Sequence, residues 1–421
     1  MDSYWVNTDQ ARDPHSSIRQ WIKTQLDDSP TGDTRILVYG HGGCGKSTEL
    51  AKLVQELSGG FFPVTFSIRD EMNLAFVNPE DILLVLTERL LNAAKDQGLS
   101  VDQSLLKKVH AYFAEVTKTS ETSRTSELGV KTEATAKTSP FFPILNLLAG
   151  VKSEIKLGSQ STESRMEKLR KRPADLLAQI NLVIEGVREA LPGGQRLLII
   201  VEDLDKLDIA SARRVFIENA NLLAGLRTNI IYTIPIFTFH SPEAGVLRSH
   251  FHPVGMPMIK VKDWQGKRAE GFEVVKKVIL QRIDTSAIET AALELLVEQT
   301  GGVLQHAFEV IQTAASMNSS GTPLKLEHVQ YGLQRKQNEF WSEITLPSAP
   351  IEGLKSVDQL YERLAELAQR QMKGEKNPPK VDAINQVLLK SCALIEYNGE
   401  RWYGVHPLVI KNLIELGRLK P

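Results

Sequence analysis

The chain has little sulfur, no excess of charge of either sign and no long apolar run. Its 421 residues hold two cysteines, Cys44 and Cys392, far apart in sequence. Two distant thiols make neither a disulfide framework nor a metal cluster, and they fit a reducing compartment. The net charge is −1, so nothing global points to nucleic acid or to acidic substrates, and only a local basic face is left open. No apolar stretch reaches the ~18–20 residues that span a bilayer; the longest, Leu197–Val201 and Ile230–Phe239, read as buried strands. The N-terminus, MDSYWVNTDQARD, is polar and acidic and is not a secretory signal. No His/Cys/Asp/Glu set has metal-site spacing, and no Ser-His-Asp or Cys-His set argues for a fused effector enzyme. These absences lead us to expect a cytoplasmic protein with no membrane partner.

What is present is ordinary globular material, 42% hydrophobic and 24% charged, long enough for two or three domains. Arg35–Tyr39, Phe61–Ile68, Gln195–Val201 and Asn229–Thr238 read as strands. Ser47–Leu57, Pro79–Ala94, Ala174–Leu191 and Ala210–Leu223 read as helices, and Ile18–Leu26 is an amphipathic stretch in a polar entry segment. Alternation of this kind, with continuous apolar strands, predicts an α/β fold with a parallel sheet covered on both faces. An insertion at about 117–164 interrupts it. There, Ser/Thr/Lys/Glu-rich flanks with weak alternation (Leu128, Val130, Thr132; Val151, Ser153, Ile155, Leu157) surround an apolar patch, Phe141–Leu148. It reads either as a long hairpin with an apolar tip or as a disordered insertion. The basic run Lys168–Arg172 reads as a solvated helix face. From Gly271 to about Glu339 the pattern is purely helical.

Residues 40–48, Gly-His-Gly-Gly-Cys-Gly-Lys-Ser-Thr, match G-x-x-x-x-G-K-[ST] between an apolar strand and a helix. Gly40, Gly42, Gly43 and Gly45 let the backbone wrap a phosphate with its N–H groups, and the following helix adds its positive end. Cys44 and Thr48 lie within the cradle; Cys44 reads as a small residue at a variable position. The spacing assigns the Lys46 ammonium to the β- and γ-phosphates of ATP and the Ser47 hydroxyl to Mg²⁺.

Arg196–Val201 then runs into Glu202-Asp203-Leu204-Asp205. A hydrophobic strand ending in carboxylates supplies the second part of a phosphate-cleaving site, one acid for Mg²⁺ and one to orient water. The order is Glu202-Asp203, so either acid can face the metal, and Asp205 is a third candidate. With Glu202 on the metal, Asp203 polarises water, and its short side chain implies slow hydrolysis. Thr233, on the strand Asn229–Pro235, is placed to sense the γ-phosphate.

With Gly40–Leu50, Glu202–Lys206, Tyr232–Pro235 and the helix start Gly301-Gly302-Val303-Leu304, the chain resembles AAA+/STAND-type P-loop ATPases, a group that includes KAP and origin-recognition-like ATPases. Tyr4-Trp5-Val6 through Ala11-Arg12 resembles the segment that packs on adenine in such proteins, which implicates Arg12. The resemblance covers most of residues 1–315. It implies a P-loop ATPase core over 1–262, an all-helical lid over 263–349 and, beyond it, a winged-helix-like domain over 350–421. Many relatives carry an arginine where Gln305 stands, so the lid lacks a cation there. Arg213, Arg214, Arg227 and Arg248 remain as substitutes in cis or from a neighbouring subunit.

In the C-terminal region Asn398-Gly399 between two short strand-like runs predicts a hairpin, the wing, with Trp402 and Tyr403 on it. Arg363, Arg370, Lys373, Lys376 and Lys380 are interleaved with Glu362, Glu366 and Glu375, which favours a protein-contact or autoinhibitory role over DNA binding. His406 reads as a packed histidine. The functional expectation is an ATP- and Mg²⁺-binding ATPase that works as a regulatory switch. Its partner is itself or a separately encoded protein, and the resemblance extends to bacterial stress or antiphage defence. The alternative is a DNA-binding ATPase of origin-recognition or transposition-regulator type.

Overall fold

The computed structural model describes residues 4–13, 15, 17–29, 31–117, 139–157, 172–318, 321, 323–397 and 401–420. Five parallel strands form one sheet: β1 (Arg35–Gly40), β2 (Phe61–Ser67), β3 (Arg196–Glu202), β4 (Asn229–Pro235) and β5 (His252–Gly255), in the order β2-β3-β4-β1-β5. The three inner strands are built from branched aliphatic residues that are buried on both sides, as a doubly covered parallel sheet requires. Pro63, which has no N–H for a ladder, lies on the edge strand β2.

Side chains alternate between the two faces. One face carries Ile36, Val38, Leu198, Ile200 and Ile231. It packs under α1 (Ile18–Asp27) and under α2 (Lys46–Glu56) through Ile22, Leu26, Leu50 and Leu53. The other carries Leu37, Ile199, Val201, Ile230 and Tyr232. It is covered by α3 (Pro79–Asp96) and by α6 (Pro173–Ala190), with α4 (Gln103–Thr117) and α5 (Phe142–Leu157) packed outside them. By the same alternation Glu202 and Thr233 fall on the α2 face. The α/β P-loop NTPase fold expected from the sequence is the fold observed.

Several local expectations are corrected. The strand at Asn229 ends at Pro235, and Ile236–Phe239 turns into a short helix. The helix expected over Ala210–Leu223 is broken by a wide turn at Arg214–Glu218, where the Asn219 amide donates to the Arg214 carbonyl at 2.8 Å. The patch after Phe141 is the helix α5, neither hairpin tip nor disorder. Its buried residues Ile144, Leu145, Leu148 and Val151 recur at helical spacing. Lys152 fixes it through Glu71 (2.9 Å) and Glu88 (2.6 Å). The flanks 118–138 and 158–171, with Leu128, Val130, Thr132 and most of the basic run at 168–172, lie outside the described residues, as does the Asn398-Gly399 turn. Among the described residues no helix is long and apolar enough to cross a membrane.

After the sheet come α7 (Gly271–Leu280), α8 (Thr290–Gln299), α9 (Leu304–Met317) and α10 (Leu326–Glu343). Then follow α11 (Val357–Met372), α12 (Ala383–Lys390), the antiparallel pair β6 (Leu394–Tyr397) and β7 (Trp402–Val405), and α13 (Pro407–Glu415). The β6–β7 strands are fully buried. Ile395, Tyr397 and Trp402 join the core beneath β1 and α2. His406 is buried, accepts the Leu408 N–H at 3.2 Å and lies 3.1 Å from His306.

Candidate nucleotide site

Ligands of open α/β sheets sit beyond the carboxyl ends of the strands, and the candidate residues gather there. Gly40 closes β1 beside Pro235 of β4. The loop then turns through Gly43 (φ 71°) and Gly45 (φ 104°), left-handed conformations that L side chains rarely adopt. A Cβ on Gly43 would lie 2.3 Å from the Cβ of Gln305, so the start of α9 rests directly on the loop. Gln305 itself turns to Glu309 at 2.8 Å and offers the loop no charge. Gly43→Ala is therefore expected to strain the loop by ~1–2 kcal/mol and to lift α9 from it. The check is calorimetric titration alongside thermal melting: ATP affinity should fall more than tenfold with a small loss of Tm.

Lys46 opens α2. Its ammonium is 4% exposed and bonds the Gly40 carbonyl at 3.0 Å, the His41 carbonyl at 2.8 Å and the Asp205 carboxylate at 2.8 Å. Burial alone lowers the affinity of this amine for its proton; Cys44 and Asp205 beside it outweigh burial and hold its pKa above the ordinary lysine value. Cys44 is fully buried, with its sulfur 4.0 Å from the Lys46 nitrogen. Gly42, Ser47 and Thr48 are exposed.

The three acids take different partners. Glu202 takes a hydrogen bond from Ser47; burial raises its pKa, the Asp203 and Asp205 charges add to this, and the Ser47 bond and Lys206 offset part of it. Asp203 is left-handed (φ 65°), accepts from the Ser67 hydroxyl at 2.7 Å and pairs with Lys206 at 3.0 Å. Burial alone would raise its pKa, but these bonds and the Lys206 and Arg69 charges hold it below the ordinary aspartate value. Asp205 takes Lys46. The structure thus brings Lys46, Ser47, Glu202 and Asp205 together, and turns Asp203 to Ser67 at the end of β2.

Thr233 is 1% exposed and its hydroxyl has no hydrogen-bond partner. Buried hydroxyls normally have one, so its place on the α2 face of a central strand marks a point where a polar ligand atom fits. Arg12 is buried. It donates to Thr8 (2.8 Å), to the Pro257 carbonyl (2.6 Å) and to the Cys44 carbonyl (2.5 Å), so its donors brace the loop from behind. Arg213 is paired with Glu218 and Glu243, Arg214 donates to the Val77 carbonyl, and Arg248 lies over the Phe239 ring.

The glycine cradle, the Ser47–Glu202 pair and the orphaned Thr233 hydroxyl fit a nucleoside triphosphate with its magnesium. Among the described residues no group of three or more His, Cys, Asp or Glu side chains could hold a metal, so a hard cation here needs phosphate oxygens to complete its shell. Sequence reading missed Ser67 and His41. Ser67 closes an ordinary strand, and His41 occupies a free position of the motif; neither gives a signal before the fold brings its partner to it.

No protein-family model matches the chain, and no curated protein matches it. Among solved structures it is similar to the Thermotoga maritima RuvB Holliday junction branch migration motor and to a single-substitution form of that protein. Each match has a TM-score of 0.37 and 10% identity over 100% of both chains. It is also similar to a structure described as the structural basis for katanin self-assembly, with a TM-score of 0.34 and 12% identity over 78% of this chain and 86% of that one.

Proposed function

We propose that the chain is an ATP-binding, slowly hydrolysing regulatory switch of the AAA+/STAND type, with a core over 1–262, a lid over 263–349 and a winged-helix-like module over 350–421. The observation that carries this reading is the convergence of Lys46, Ser47, Glu202 and Asp205 under a glycine cradle, with an unpartnered Thr233 hydroxyl beside them. Lys46 and the loop N–H groups hold the phosphates. Ser47 and Glu202 hold Mg²⁺, which supplies charge neutralisation at the phosphates. Asp203 orients water, and Thr233 reports the terminal phosphate. Asp205 keeps the buried Lys46 paired while no phosphate is there.

Slow turnover is supported by three features. Asp203 is tied to Ser67 and Lys206, Gln305 leaves the lid without a cation at the loop, and Arg213, Arg214 and Arg248 are engaged elsewhere. A switch needs two states with different partner surfaces, and the lid and C-terminal module pressed on the loop are the parts that can differ. The resemblance to STAND proteins supports a cytoplasmic role in bacterial stress or antiphage defence, through self-association or a separately encoded partner.

DNA binding is disfavoured because the β6–β7 pair is buried and three of the nearby cations are paired: Arg363 and Lys380 with Asp382, Arg370 with Glu375. The test is ATP titration with turnover, particle mass with a non-hydrolysable analogue, and DNA anisotropy at physiological salt. Expected are Mg²⁺-dependent ATP binding, turnover below the ~10 s⁻¹ of a median enzyme, a nucleotide-dependent mass and no strong DNA complex. A tight, steeply salt-dependent DNA complex would favour the origin-recognition alternative.

A further inference from the structure

His41 sits between β1 and the glycines of the loop and is fully buried. Its ring is spent entirely on the C-terminal module. Nε2 accepts the backbone N–H of Glu396, in β6, at 2.8 Å. The other ring nitrogen donates to the Leu389 carbonyl and lies 3.6 Å from the Cys392 sulfur. The tautomer follows: the proton is on Nδ1 and the lone pair on Nε2. Burial pushes the imidazole down to about 4, so the ring stays neutral and keeps that lone pair free to accept. Cys392, between α12 and β6, holds a left-handed φ of 54°, a strained conformation for a side chain that lies against His41.

The main chain of the same residue faces the other way: the His41 carbonyl accepts from the Lys46 ammonium at 2.8 Å. One residue therefore joins the phosphate-binding lysine to the β6–β7 pair. That pair is gripped from three more sides. The Glu396 carboxylate meets His240 at 2.5 Å, Arg401 donates to the Tyr39 hydroxyl at 2.9 Å, and the Tyr397 hydroxyl donates to the Gly301 carbonyl at 2.8 Å.

We propose that His41 is a positioning residue through which the docked β6–β7 pair holds the phosphate loop in its nucleotide-binding shape. The proposal rests on the reading of that loop as a nucleotide site and adds what governs it. The C-terminal module supports binding instead of blocking it. Coupling between two sites is reciprocal, so ATP must in turn tighten the β6–β7 pair.

The experiment uses the full chain, with Mg-ATP calorimetry and hydrogen–deuterium exchange over 389–397, each with and without ATP. In the wild type, ATP slows exchange at β6. His41→Ala leaves the Glu396 N–H without its acceptor, so ATP affinity falls by roughly tenfold and exchange at β6 rises even without nucleotide. His41→Gln, whose amide oxygen reaches the Nε2 position, restores most of both; His41→Asn, too short to do so, does not. That contrast decides the matter even where the alanine variant fails to fold. Equal affinity and exchange for Gln and Asn, or ATP speeding exchange at β6 in the wild type, overturns the proposal. A wild type with no ATP affinity overturns the nucleotide reading, and the proposal with it.

Discussion

Lys46→Ala is expected to lower ATP affinity by at least about a hundredfold. Each charge-assisted bond from an ammonium to phosphate contributes ~1.5–3 kcal/mol, and the loop offers no second cation: Arg12 is consumed by the carbonyls behind it. The same change leaves Asp205, with a side chain 7% exposed, as a buried carboxylate without its partner, a loss of ~3–5 kcal/mol in stability. The two effects separate in Lys46→Ala/Asp205→Asn, where the neutral amide relieves the stranded charge. That double variant should melt close to the wild type and still not bind ATP. Wild-type affinity in a folded Lys46→Ala protein would sink the nucleotide reading.

Asp203→Asn is expected to cut turnover by ~10²–10⁴, the range of a general base, with ATP affinity within a few-fold of wild type. The substitution keeps the shape of the side chain and an oxygen for Ser67. Glu202→Gln should instead weaken Mg²⁺ dependence, because Glu202 is the acid bonded to Ser47. Should Glu202→Gln abolish turnover at unchanged Mg²⁺ affinity while Asp203→Asn does not, the two roles are exchanged. The pH dependence has a fixed sign. Glu202 is raised, chiefly by burial, so protons compete with Mg²⁺ there at a higher pH than for an ordinary glutamate. Mg²⁺ affinity falls on acidification before a free carboxylate would titrate, and Glu202→Gln removes that dependence.

The inner strands were legible because Ile36–Val38, Leu197–Val201 and Ile230–Tyr232 are apolar without a break, the pattern a doubly covered strand needs. The turn at 40–48 was legible because glycines stand where the backbone takes left-handed conformations, at Gly43 and Gly45. What escaped has equally physical reasons. The edge strand β5 reads His-Pro-Val-Gly, with proline and glycine where strand formers normally stand, and is held by pairing with β1. The helix α5 was masked by a chance two-residue alternation at Val151–Leu157, while its real period lies in Ile144, Leu148 and Val151. The division of labour among Glu202, Asp203 and Asp205 depends on partners from two other segments, Lys46 and Ser47 at the start of α2 and Ser67 at the end of β2, and no spacing within Glu-Asp-Leu-Asp encodes it.

The hydrogen bond from Ser67 to Asp203 spans 136 residues, and everything from α3 to α6 is threaded between the two neighbouring strands that carry its ends. Closing a loop of that length costs about 4 kcal/mol of chain entropy before any pairing rewards it. Contacts this distant slow assembly. In a chain emerging from the ribosome, β2 is finished long before β3 exists to receive it, and it waits with its one ladder unpaired. The acid at the end of β3 thus acquires its serine only when the edge strand docks, so the contact marks the closing of the long β2–β3 crossover.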